Sequence, residues 1–457
     1  MKKKNFRFFI GLYLAKIAYR LLRIIGKDAS HFPGVVALKF CPDFLSRVTA
    51  PETVVAVTGT NGKTTVTNMI YTLLKENGKK VLCNSLGSNT YVGISSVLVL
   101  GSKLSGKSKY PIAVLEVDER SSPLIYPYVK PTYLVCTNLF RDSLTRNAHT
   151  EFIKDILDKS IPEETTLVLN GDDLISSNLK EGNKRYLYSI PQQSFEHGDE
   201  ENLSVDLRVC PVCSEVLEYD FRRYHHIGKA HCPNCDFGTA KADYVADNIN
   251  MESSEFTLSE PSGVFNTFTF PNKNIINIYN YVAAVTMARI LGISPESIKE
   301  SKISVVGSRY SEAKMGKKEA LLTLSKAQNP IACSRAFSYA KTLSGKKSVV
   351  LFLDEIEDVE KSSENVCWMY DADFELLNSP DILQVIAVGA RHLDDKVRLL
   401  IAGVPSDIII TTDDYSSVAD LISDEADRII VLYDLHCVAV AKKLKETLTE
   451  RFSGGEA

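Results

Sequence analysis

Seven residues, Gly59-Thr60-Asn61-Gly62-Lys63-Thr64-Thr65, stand between two apolar runs of different period. Before them, Glu52-Thr53-Val54-Val55-Ala56-Val57 contains the short β-branched run of a buried parallel strand. After them, Val66, Met69, Ile70, Leu73 and Leu74 recur at helical spacing. Strand, glycine turn and helix in that order distinguish a phosphate-binding loop from a chance glycine pair. Glycines let consecutive backbone N–H groups turn toward phosphate oxygens, and the helix N-terminus adds positive potential. Lys63 supplies a point charge for the outer phosphates, and the Thr64 hydroxyl suits a Mg²⁺ ligand. The common loop has four residues between its first glycine and its Gly-Lys pair. Here only Thr60 and Asn61 stand there, and Val57 takes the usual place of the glycine.

Further strands are expected at 80–83, 112–117, 133–137 and 166–170, with a helix over 152–157, which makes βαβ units and a mostly parallel sheet. A longer helix over 275–291 ends at Gly292. From roughly Ser311 a second α/β pattern begins, with strands at 348–353, 382–388, 408–411 and 428–432 and helices at 393–402 and 438–448. The expected division is an amphipathic segment over 1–49, a nucleotide-binding domain over 50–310 and a smaller α/β domain over 311–457. A chain of 457 residues is long enough for that many cores. Its net charge of -4 argues against a dedicated nucleic-acid binder.

Glu116, Asp118 and Glu119 fall at the end of the 112–117 strand, the sheet edge where α/β proteins bind ligands. Glu116 is the candidate to hold Mg²⁺ beside the nucleotide. The competing reading, a solvated acidic loop, weighs more on Asp118 and Glu119.

Ten cysteines are present, and four of them form two C-P-x-C knuckles, Cys210-Pro211-Val212-Cys213 and Cys232-Pro233-Asn234-Cys235. Their spacing is that of a structural zinc ribbon, here inserted over 203–240. Four thiolates close a tetrahedral site and leave no open position for catalysis. So small an insert has too little core to fold alone, and metal binding supplies the missing free energy. His225, His226 and His231 are unnecessary as ligands and, with Arg222 and Arg223, are expected to form a mildly basic surface patch. The remaining cysteines are scattered, which suits a reducing, cytoplasmic compartment.

Near the N-terminus Phe6, Ile10, Tyr13, Ile17, Leu21 and Ile24 share one helical face, with Lys16, Arg20, Arg23 and Lys27 beside it. Its longest apolar run is too short to span a bilayer, and no small-residue cleavage site follows. The helix is expected to pack on the protein's own surface. The alternative is a helix lying in a membrane interface and favouring anionic lipid, which makes the protein peripheral at the inner membrane face.

The loop resembles that of the Mur ligase and folylpolyglutamate synthase superfamily, ATP-dependent enzymes that activate a carboxylate as an acyl phosphate for attack by an amine. Leu169-Asn170-Gly171-Asp172-Asp173 and Asn277-Ile278-Tyr279-Asn280-Tyr281-Val282-Ala283-Ala284 resemble later segments of that domain. The resemblance makes Asn277 and Asn280 adenine contacts. The zinc ribbon and the C-terminal half narrow the likeness to the MurT family, ligase subunits of lipid II isoglutaminyl synthase. Cys367-Trp368-Met369-Tyr370-Asp371-Ala372-Asp373-Phe374-Glu375 resembles a signature of that family, as do Gly389-Ala390-Arg391-His392-Leu393-Asp394 and Phe32-Pro33-Gly34. Arg141-Asp142 opens like a family motif and diverges over 143–149. Lys326-Ala327-Gln328-Asn329-Pro330-Ile331 matches another loosely, and Asp354 and Asp358 remain of an acidic one.

The resemblance implies a Mur-ligase-type P-loop domain carrying a four-cysteine zinc ribbon, and an amidation in peptidoglycan synthesis. ATP phosphorylates the D-glutamate α-carboxylate of the lipid II stem peptide, and ammonia displaces the phosphate to give D-isoglutamine. It implies ATP, Mg²⁺ and structural Zn²⁺, with Lys63, Glu116 and Asp371 as catalytic residues. It also implies a heterodimer with a GatD-type glutaminase that carries Cys and His, Asp371 completing the partner's triad. The competing role for Asp371 is an acidic residue solvating a loop. Two rival functions are a Mur-type ligase that adds an amino acid and a zinc-ribbon binding module that keeps an ATP fold. The short segment before the loop disfavours the first, and an intact Lys63, Thr64 and Glu116 disfavour the second.

Overall fold

A computed structural model describes residues 2–26, 30–85, 88–142, 149–196, 202–271, 275–303, 310–316, 318–324, 329–354 and 366–453. Residues 143–148 and 326–328, Lys27 and Asp358 lie outside the described residues. The chain divides into two compact units. One comprises Met1–Phe140, His149–Glu201 and Asp206–Val306; the other takes Gly307–Ala457 together with Arg141–Ala148 and Asn202–Val205.

The first unit opens with helices α1 (Phe6–Ile24) and α2 (Phe32–Phe40). There follow β1 (Thr53–Thr58), α3 (Lys63–Glu76), β2 (Val81–Cys83), α4 (Tyr91–Gly101), β3 (Ile112–Glu116), α5 (Ser122–Ile125) and β4 (Tyr133–Cys136). Then come α6 (Thr150–Ser160), β5 (Thr166–Asn170), β6 (Arg185–Ser189) and the hairpin β7 (Glu218–Tyr224) and β8 (Ile227–His231). The strands β9 (Tyr244–Asn250), β10 (Glu255–Ser259) and β11 (Phe265–Thr269) precede α7 (Ile275–Ile290) and α8 (Pro295–Glu300). The sheet runs β11-β10-β9-β6-β5-β4-β1-β3-β2. From β2 to β9 all pairings are parallel, and β10 and β11 close the edge as an antiparallel meander. Val54, Val55, Ala56 and Val57 of β1 are buried, as a central strand covered on both faces requires.

The N-terminal helix packs on the protein's own surface, but not through its most apolar stripe. Phe8, Gly11, Leu12 and Ala15 are the buried positions of α1. The Phe8 ring stacks on Phe44 with centroids 5.0 Å apart. Burying side chains of this size contributes about 1.5–3 kcal/mol each, which holds the helix to the domain.

The second unit is a six-stranded sheet of β12 (Tyr310–Met315), β13 (Lys318–Leu324), β14 (Lys347–Phe352), β15 (Ile382–Val388), β16 (Ile409–Thr412) and β17 (Arg428–Tyr433). Its order is β12-β13-β17-β14-β15-β16, parallel except for the β12 edge. Helices α9 (Pro330–Thr342), α10 (Trp368–Asp371) and α11 (His392–Ile401) contribute Phe337, Trp368 and Leu399 to one core. Helices α12 (Val418–Leu421) and α13 (Val438–Ser453) contribute Val418, Leu444 and Leu448 to a second. Between β15 and α11, the buried Asp354 carboxylate accepts the N–H groups of Ala390 (2.7 Å) and Arg391 (3.0 Å). The Gly389–Asp394 turn is therefore held from beneath by Asp354.

Candidate active site and zinc ribbon

β1 ends at the carboxyl edge of the parallel sheet, with β3 on one side and β4 on the other. The connection after β1 runs toward β2, and the one after β3 runs back past β1 to β4, which makes this edge the topological switch point where such sheets bind ligands. The loop that follows needs its glycines: Gly59 and Gly62 have φ of +124° and +86°. A Cβ on Gly59 would lie 2.3 Å from Thr137 Oγ1, and one on Gly62 would lie 2.2 Å from Asn280 Oδ1. Gly62 is the N-cap of α3 and supplies no side-chain acceptor. The first-turn N–H groups have no intrahelical acceptors, so they are open to a phosphate.

The segment after β4 braces the loop. Thr60 Oγ1 donates to Phe140 O (3.0 Å) and accepts from Phe140 N (2.9 Å). The N–H of Asn61 donates to Asn138 Oδ1 at 3.0 Å, and Thr137 Oγ1 donates to Asn61 O at 2.6 Å. The Asn61 side-chain oxygen and nitrogen are both buried with no hydrogen-bond partner among the described residues. A buried amide left this way costs free energy unless something else meets it, which is the condition of a ligand-binding group. Sequence reasoning missed the brace; its signal was a Thr137-Asn138 pair at the end of an apolar strand.

Lys63 donates to the Glu119 carboxylate at 3.0 Å and to the carbonyl of Gly59. Burial works against its charge, but Glu119 outweighs this, with Glu116 and Asp118 adding to it, and the ammonium is held above its ordinary range. Glu119 also accepts the Gly59 N–H at 2.8 Å. Glu119 is 2 % exposed, so it is no solvated loop residue. Asp118 is buried too and accepts the Arg120 N–H at 3.1 Å.

Thr64 Oγ1 donates to Glu116 Oε2 at 2.8 Å. Cis ligands of an octahedral Mg²⁺ with bonds of 2.0–2.1 Å sit about 2.9 Å apart, so this oxygen pair fits two neighbouring positions of such a site. Asn89 Nδ2 donates to the other Glu116 oxygen at 2.9 Å. Asn84 brackets the Glu116 backbone, donating to its carbonyl and accepting its N–H, each at 2.8 Å. These asparagines carry no motif and were not singled out in the sequence. Thr65 lies half-buried in the first turn of α3. On α7, Asn280 is buried against Gly62, whereas Asn277, half-buried on the same helix, has no contact that places it at the loop.

Cys210, Cys213, Cys232 and Cys235 bring their sulfurs within 4.8 Å of one another. The Cys210–Cys235 and Cys213–Cys232 separations are 3.5 and 3.4 Å. Four sulfurs at about 2.3 Å from one Zn²⁺ stand about 3.8 Å apart, so the thiols fit zinc with small adjustment. Both knuckles repeat one geometry: Val212 N–H points to Cys210 Sγ and Asn234 N–H to Cys232 Sγ, each at 3.4 Å.

The basic patch expected beside the ribbon is not a surface. Arg223 is 7 % exposed, and His225 and His226 are fully buried, because the β7–β8 turn is driven into the nucleotide domain. His226 Nε2 meets Asp173 Oδ1 at 3.0 Å, and the other Asp173 oxygen accepts the Leu139 N–H at 2.7 Å. The Phe140 and His226 rings lie 4.6 Å apart. Arg223 pairs with Glu196, and Tyr279 O–H donates to Asp172 at 2.5 Å. The ribbon hairpin thus backs the Thr137–Phe140 brace that holds the loop. Of the expected patch only Arg222, half-buried, and His231, exposed, reach the surface.

In the C-terminal unit Asp371 ends α10 and is partly exposed, 3.3 Å from Arg141. Asp142 accepts from Asn329 Nδ2 at 2.7 Å, and Asn329 also caps α9 through the Ala332 N–H. Beneath Asp371, Trp368 and Met369 are buried, and Arg398 donates to the carbonyls of Met369 and Ala372, each at 2.8 Å. The carboxylate is presented on a fixed backbone.

Residues 57–225 match the Mur ligase middle domain and residues 326–435 the MurT ligase C-terminal domain. The subunit MurT of the glutamine-hydrolysing lipid II isoglutaminyl synthase of Staphylococcus aureus (strain COL) is 31% identical, covering 98% of this chain and 99% of its own length. Its counterpart in Streptococcus pneumoniae is 30% identical over 92% of this chain and 93% of its own. Among solved structures, a pseudomurein peptide ligase type C from Methanothermus fervidus superposes with a TM-score of 0.68 at 20% identity, covering 89% of this chain and 81% of that one. The fold is that of the Mur ligases, and the chain belongs to the MurT family.

Proposed function

We propose that this chain is the ATP-dependent ligase subunit of a two-component amidotransferase acting on lipid II. Its acceptor is the α-carboxylate of D-glutamate in the stem peptide, and its product D-isoglutamine. The observation that carries the reading is the likeness to MurT subunits over nearly the whole chain, in a protein that keeps Lys63, Thr64 and Glu116 in contact geometry.

The first-turn N–H groups of α3 and the Lys63 ammonium orient the triphosphate and draw charge from its outer oxygens. Thr64 and Glu116 would hold Mg²⁺, which when bound neutralises charge on the phosphates. A carboxylate oxygen of the acceptor attacks the γ-phosphorus, the bond to the bridging oxygen breaks, and ADP leaves. Ammonia then attacks the acyl carbon, phosphate departs with the C–O bonding pair, and a proton is lost to give the amide. Asn280, which lies against Gly62, would border the nucleotide, with Asn277 toward the adenine. Ammonia comes from a GatD-type glutaminase, to whose His the Asp371 carboxylate is offered, fixing tautomer and charge as in a hydrolytic triad. Zn²⁺ on the four cysteines is structural. A lipid-linked acceptor makes the enzyme peripheral at the inner membrane face.

The test is the chain alone with lipid II, ATP, Mg²⁺ and an ammonium salt. Amidated lipid II and equal ADP are expected. Product that carries an amino acid instead would replace this reading with the amino-acid ligase.

A further inference from the structure

Helix α1 is apolar on two faces. Phe8, Leu12 and Ala15 point into the domain and are buried. At 100° per residue, Phe6, Ile10, Tyr13, Ile17, Leu21 and Ile24 lie on the side opposite them. Phe6 and Ile24 are each 79% exposed, Leu21 58% and Ile17 52%. A contiguous apolar stripe of this length on the outside of a domain marks an interaction surface. On α2, Phe32, Val35 and Phe40 are exposed as well.

The charge around the stripe has one sign. Residues 2–27 contain eight Lys and Arg and no Asp or Glu, in a chain whose net charge is -4. Three of the lysines are engaged by the domain: Lys2 with Asp43, Lys4 with Thr49 and Lys16 with the carbonyls of Val99 and Ser102. Arg7 and Arg20 remain exposed on the two flanks of the stripe, and Arg23 is exposed near its C-terminal end, closer to the domain-facing side. Among the described residues no helix is long and apolar enough to cross a membrane. Leaving the domain to insert would also uncover Phe8 and Leu12.

We propose that the outer face of α1 docks the protein on an anionic phospholipid surface, the helix lying in the plane of the membrane. The apolar stripe enters the boundary between headgroups and acyl chains, and Arg7 and Arg20 meet the lipid phosphates. The docking is inferred from α1 itself and not from the acceptor assigned above, although it brings the enzyme to a lipid-linked substrate.

Flotation of the full-length protein with vesicles tests it, comparing phosphatidylcholine mixed with phosphatidylglycerol against phosphatidylcholine alone. The protein is expected to float with the anionic vesicles roughly ten-fold or more better, an advantage lost at high salt. The double substitution I17E/L21E abolishes flotation and leaves ATP turnover unchanged, because both side chains leave no gap in the core. Should that variant fold poorly, Ile17→Trp provides a second readout, its fluorescence shifting to the blue on anionic vesicles. Wild-type protein that stays off anionic vesicles overturns the proposal. So does sedimentation showing that Ile17 and Leu21 are instead buried in a self-associated form or against the glutaminase. Wild-type protein that amidates lipid II but does not float with anionic vesicles would overturn the docking alone and leave the assigned reaction standing.

Discussion

Lys63 is held by Glu119 and the Gly59 carbonyl, so in this structure its charge is set by the loop's own surroundings. Replacing it with alanine removes the one cation inside the loop. ATP turnover of Lys63→Ala is expected to fall by roughly 10²–10³ or more, the size of losing one preorganised charge partner, measured as phosphate release. Asp371 makes a different forecast because its proposed role lies in the partner's glutaminase rather than in phosphate transfer. Asp371→Asn keeps the shape of the α10 terminus and removes the charge. It is expected to bind ATP normally and amidate with ammonium salts, while glutamine-driven amidation falls on the order of 10³–10⁴. Full glutamine-driven activity in that variant would sink the triad assignment.

At the scale of elements, the β7–β8 hairpin ties the four-cysteine cluster, the proposed zinc site, to the phosphate-binding loop. Stripping the metal with a chelator, or replacing Cys213 by serine, is expected to loosen the hairpin and with it the Thr137–Phe140 brace. ATP affinity should weaken even though no cysteine touches the loop, and unchanged affinity in a zinc-free, folded protein would break the link. His226→Ala tests the same connection without touching the metal. It leaves the buried Asp173 carboxylate without its ring partner, both groups being fully buried, and is expected to cost about 3 kcal/mol of stability in denaturant unfolding. The pattern of residues revealed some of these elements and hid others for physical reasons. β1, β3, β4 and β5 were legible because strands covered on both faces need unbroken apolar runs. α4 was not, since a helix buried nearly all round, Tyr91–Gly101, has no amphipathic period to read. The β9–β11 meander was hidden by its polar, solvent-facing positions. The hairpin tip misled in the opposite way: Arg223 and His226 look like surface residues until Glu196 and Asp173, distant in sequence, are seen to pair with them.

For the whole molecule, sequence motifs carried the loop and the four-cysteine cluster, because each chemistry demands a fixed spacing along the chain, whereas the Asp371 segment stood out only by its resemblance to the MurT family. The partners that set their geometry, Asn138, Asn89 and Asn84 among them, come from separate strands and loops and belong to no such spacing. The division of labour proposed here, with ATP chemistry on this chain and ammonia production on another, is a claim about two proteins together. Its most direct test is incubation with a glutaminase-type partner, ATP, Mg²⁺, glutamine and lipid II, followed by mass spectrometry of the stem peptide. The expected result is the small mass decrease of OH replaced by NH₂ at the D-glutamate carboxyl, only when both subunits are present. ATP consumption with no such change, or the same yield from glutamine without the partner, would contradict the account.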